Sequence, residues 1–148
     1  MRGLSLLVLR LSAVLVFVAG VLHLLMTGPL MHWFRPMTVP HADVAQAAML
    51  LNHVVVGILL LPLGVALAAI GQPLSRAEPW AVAVGASSSL ALLALPLVLM
   101  FTIRSAMLDA PAFVAAAIML TLASIAAAAS VAYLWLSAPA RPSCDGGP

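Results

Sequence analysis

Four histidines carry most of the polar chemistry of this chain, and all lie between residues 21 and 57: His23, His32, His41 and His53. The same stretch holds Met26, Met31, Met37 and Met49, four of the eight methionines. Neutral imidazole ligates haem iron, copper and zinc, and it hydrogen-bonds carbonyl groups such as those of a quinone. Thioether sulfur is soft and suits Cu(I) or an axial haem position. The plain alternatives are an imidazole that makes one hydrogen bond between helices, and methionines that fill irregular gaps in packing. His-x-His, Cys-x-x-Cys and Glu-x-x-His patterns are absent from the sequence. Cys144 has no partner, so no disulfide framework exists.

The elements that position these side chains follow from composition. Of 148 residues, 65% are hydrophobic and 7% charged, and the mean hydropathy is +1.22. A soluble domain carries about 25% charged residues, so the solvent of this chain is lipid. Spanning a bilayer takes about 20 mainly apolar residues in a helix. Residues 5–28, 45–70, 80–102 and 112–136 meet that condition. The expected architecture is all-α, an antiparallel bundle of four transmembrane helices in a single domain over residues 1–136, followed by a disordered tail over 137–148.

Boundary signals accompany each span. Gly28-Pro29 is expected to stop the first helix and Gly71-Gln72-Pro73 the second. Ser75 to Glu78 has the spacing of a capping box before Pro79, and Asp109 is expected to cap the fourth span. Pro62 and Pro96 fall inside spans and are expected to kink them. Trp80 and Trp135 at one side, and Trp33 and Phe34 at the other, suit membrane interfaces. The first segment begins like a signal peptide, but its apolar run is long, Arg10 interrupts it and no convincing cleavage site follows. It reads as a retained anchor.

Arg2, Arg10, Arg76 and Arg141 fall on the side of the termini, and Arg35 and Arg104 on the other. The positive-inside rule then gives cytoplasmic termini in a bacterial inner membrane. All four histidines lie in the outer half, and the seven methionines after Met1 lie in or near it. Six arginines without lysine, against four acids, are too few and too scattered for a nucleic-acid surface. The expected partners are the lipid bilayer and a membrane complex or homo-oligomer. No catalytic nucleophile with a matching base and no phosphate-binding loop is apparent, so no catalytic residue is assigned.

Helices in lipid pack through small and weakly polar residues. Ser12, Val16, Ala19, Gly20 and His23 form one stripe, and Gln46, Met49, His53, Gly57 and Gly64 another. Ala81, Gly85 and Ser89 form a small-residue ladder in the third span, beside Ser87 and Ser88. The fourth span is rich in alanine, with Thr121, Ser124 and Ser130. Gly20, Gly57, Gly64, Gly85 and Ser89 are the expected packing positions. His23 and His53 are then buried and close, roughly 8 and 12 Å below the outer interface at 1.5 Å per residue. They are the candidate ligand or metal residues, with Asn52, Met49 and Arg35 lining or flanking the site. His32 and His41 are expected at the surface.

Arg10, Phe17, Ala19-Gly20 and His23, with a proline soon after, resemble the first helix of DoxX-like small membrane proteins. The motif resemblance covers residues 9–30, and the layout of four spans is similar. It implies a four-helix bundle, with a link to thiosulfate–quinone electron transfer or redox-stress membrane complexes. Asn52-His53 stands where that pattern expects an acidic residue in the second helix. The sharpest functional expectation is a redox-linked subunit that holds a quinone between the first two helices. The alternatives are a cofactor-free membrane interaction or assembly protein, and a haem- or copper-binding protein.

Overall fold

The computed structural model describes residues 1–34, 42–103 and 111–138. Five helices lie among them: α1 (Arg2–Phe34), α2 (Ala42–Ala69), α3 (Gly71–Ser75), α4 (Pro79–Ile103) and α5 (Pro111–Leu136). There is no strand among the described residues. Four segments are long and apolar enough to cross a membrane: Arg2–Leu30, Gln46–Ser75, Pro79–Val98 and Val114–Leu136. The protein is an all-α membrane bundle of four antiparallel spans.

Several boundaries differ from expectation for a common reason. In an apolar medium an unpaired backbone group is costly, so a helix tends to run on where a soluble one would stop. Thus α1 continues through Pro29 to Phe34. Likewise α2 ends at Ala69, but Gly71-Gln72-Pro73 do not end the helical path. Ile70 N–H donates to Ala66 O at 3.2 Å and Leu74 N–H to Ile70 O at 2.9 Å, which carries the chain into α3. The capping box does not form. Ser75 belongs to α3, and its hydroxyl donates to Gln72 O at 2.7 Å. The Glu78 carboxylate instead accepts the indole N–H of Trp80 at 2.6 Å. Ala77, at φ +57°, makes the turn between α3 and α4. Pro62 and Pro96 lie within α2 and α4. Asp109, Arg35, Arg104, His41 and the tail beyond Ala138 are outside the described residues.

The first span packs most closely on α2 and then on α5, while α4 packs mainly on α5 and only thinly on α2. Arg2 ties the start of α1 to the end of α5. Its Nε donates to Ser137 Oγ at 3.3 Å and its Nη2 to the Ser137 carbonyl. The apolar core includes Leu9, Ala13, Val16, Leu60, Leu67, Ile70, Leu74, Ala127, Val131 and Leu134. It is weighted toward the end that carries the termini.

Glycines allow the backbones to meet. A Cβ on Gly64 would lie 2.8 Å from Phe17 N and 2.9 Å from Ala13 O. One on Gly20 would lie 3.0 Å from Gly57 O, and one on Gly57 2.9 Å from the Leu24 side chain. In α4, a Cβ on Gly85 would lie 2.8 Å from Val131 Cγ2 and 2.9 Å from Ile70 Cδ1. Ser89 is buried on the same helix.

Candidate ligand site at the histidine pair

The Gly20–Gly57 approach decides where the histidines go. His23 lies one turn from Gly20 on α1 and His53 one turn from Gly57 on α2, both toward the end of the bundle opposite Arg2 and Ser137. With the backbones pressed together at the glycines, the two rings have little space between them. Their centroids are 4.6 Å apart and the planes are inclined by 26°, a stacked pair. Both residues are half-buried rather than fully enclosed.

The hydrogen bonds define the chemistry of the pair. His23 Nδ1 lies 3.0 Å from the Ala19 carbonyl. A carbonyl only accepts, so Nδ1 carries the proton and, in the neutral ring, Nε2 is an acceptor. The Thr27 hydroxyl, one turn along α1, donates to the His23 carbonyl at 3.1 Å. His53 Nε2 is buried and has no hydrogen-bond partner. The pair therefore has one acceptor, His23 Nε2, and one buried nitrogen without a partner, His53 Nε2, on a ring that also interacts with the His23 backbone.

The other candidates are placed differently. Asn52 is exposed, as the 100° step from His53 turns it off the helix contact. Met49 is also exposed despite sharing the His53 stripe. It lies one turn before His53 in α2. His32 is exposed. The Ala19 carbonyl and the Thr27 hydroxyl were not singled out from sequence. The spacing of four between Ala19, His23 and Thr27 is the signal that could have found them, since polar side chains in helices often bond a carbonyl one turn back.

Stacked rings do not suit a bridging metal. In bis-histidine haem the two imidazoles approach the iron from opposite faces of the porphyrin. With metal–imidazole bonds of about 2 Å, rings so arranged cannot touch face to face. Copper held by both rings would need the two nitrogens aimed at one point, and stacking aims them alongside each other. No group of three or more His, Cys, Asp or Glu suited to a metal ion occurs among the described residues. Comparison with known protein families, with curated proteins and with solved structures found no match.

Proposed function

We propose that this small multi-pass membrane protein binds a quinone head group at the His23–His53 pair, as a redox-linked subunit of a bacterial inner membrane. The observation that carries this reading is the buried, unpartnered Nε2 of His53 beside a ring whose own proton is committed to Ala19. A quinone carbonyl accepts from His53 Nε2–H, and a quinol hydroxyl donates to His23 Nε2. The apolar surroundings suit the rest of the ligand, and the outer end of α1 and α2 is reached from the bilayer. The DoxX-like first helix, with Gly20 and His23 at its contact with α2, agrees with such a role. Cytoplasmic termini, read from the arginine distribution, put the site in the outer leaflet. The test is mass spectrometry of lipid extracts, with an absorption spectrum, from protein purified out of native membranes. Quinone that co-purifies with wild type and is lost in His53→Ala supports the reading. Its absence from the wild-type extract counts against it.

A second reading, a cofactor-free interaction or assembly protein, has its own support. Ala83, Ser87 and Ala91 recur at every fourth position of α4 and are all exposed, a spacing through which membrane helices associate. A ligand-free protein that co-purifies with a larger complex would favour it.

A further inference from the structure

We propose that the interior of the bundle holds an ordered water molecule on the Ser89 hydroxyl, within a band of serine hydroxyls contributed by α1, α4 and α5. The proposal is independent of the histidine pair, which lies nearer the outer end.

Ser89 is 4% exposed, and its Oγ makes no hydrogen bond. Two hydroxyls of α5 satisfy themselves locally. Ser124 donates to Leu120 O at 2.6 Å and Thr121 to Ala117 O at 2.7 Å, each one turn back on its own helix. Ser89 does not use that route. It lies one turn outward from Gly85, which fits between Ile70, at the junction of α2 and α3, and Val131 of α5. The Ser89 side chain therefore belongs to the face of α4 that looks into the bundle.

The other buried polar side chains among the described residues are also serines: Ser12, Ser88, Ser124 and Ser130. Their heights follow from contacts already described. Ile70, Gly85 and Val131 share one level. At 1.5 Å per residue, Ser130, Ser88 and Ser89 lie about 1.5, 4.5 and 6 Å outward of it. Ser12 adjoins Ala13, which touches Gly64, and Gly64 lies about 9 Å outward of Ile70. Three helices thus place four buried serines within about 6 Å of height.

The chemistry of the band selects its occupant. A buried hydroxyl without a partner is unfavourable, and a site lined by several polar groups is where internal water is found. No carboxylate or cation is buried there among the described residues, so a charged ligand would go uncompensated. Water is neutral, and both donates and accepts, as serine hydroxyls require.

Solid-state NMR of the full chain in lipid bilayers tests this, by following magnetisation from water protons to side-chain carbons. Transfer is expected to the Cβ signals of Ser89 and Ser12, and not to Leu92, which is buried three residues along α4. In Ser89→Ala, transfer to Ser12 should fall to the Leu92 level. Absence of transfer to Ser89 in the wild type would overturn the proposal, and so would transfer to Ser12 that Ser89→Ala leaves unchanged.

Discussion

An imidazole nitrogen without a partner can be distinguished from a satisfied one by its response to substitution. His53→Phe keeps a planar ring against His23 and removes the orphaned Nε2. Ligand-free protein in detergent should then gain about 1 kcal/mol of stability, read as a higher Tm. A lower Tm would mean that the nitrogen has a partner within the protein. His23→Ala, in contrast, breaks the bond to Ala19 O and should lower Tm. The meeting of His23 and His53 was legible in sequence because each lies on a stripe of small residues. The poses of their neighbours were not. A single residue step turns a side chain by about 100°, so Asn52 beside His53 faces outward. Met49 shares the His53 stripe yet is exposed, and a stripe alone does not fix how far a side chain is covered.

Helix contacts give a graded set of glycine effects. A methyl group at Gly64 would strike the backbone of α1, which cannot swing aside, whereas at Gly71 it would meet only Leu6 Cδ2 at 3.6 Å. Gly64→Ala should cost about 1–3 kcal/mol as overpacking, and Gly71→Ala should change Tm little. Equal melting of the two variants would contradict the packing of α1 on α2. Larger replacements extend the series. Gly20→Leu and Gly57→Leu should destabilise more than Leu25→Ala, because Leu25 is exposed. The packing faces were readable because glycine and serine recur at helical spacing. The helix ends were less readable, since Gly28-Pro29 and Gly71-Gln72-Pro73 are stop signals calibrated in water. In the bilayer, α1 runs on past Pro29, and the second span continues into α3.

For the whole molecule, the arrangement of four spans was legible from apolar length alone, and the Arg2–Ser137 contact ties the start of α1 to the end of α5. Its direction in the membrane rests on arginine placement. Reporter fusions at Cys144 and near Met37 should give opposite signals, cytoplasmic at Cys144, and equal signals would defeat the topology. We propose that the histidine pair stands at the outer end of the bundle, away from the core at the end that carries Arg2 and Ser137. The most direct test of a ligand there is the 15N NMR signal of His53 Nε2 in bilayers, titrated with a short-chain benzoquinone labelled with 13C at its carbonyls. The account predicts a saturable shift of that signal, with 15N–13C contact to a carbonyl, and no change at His32. A His53 signal that stays fixed at saturating quinone would contradict it.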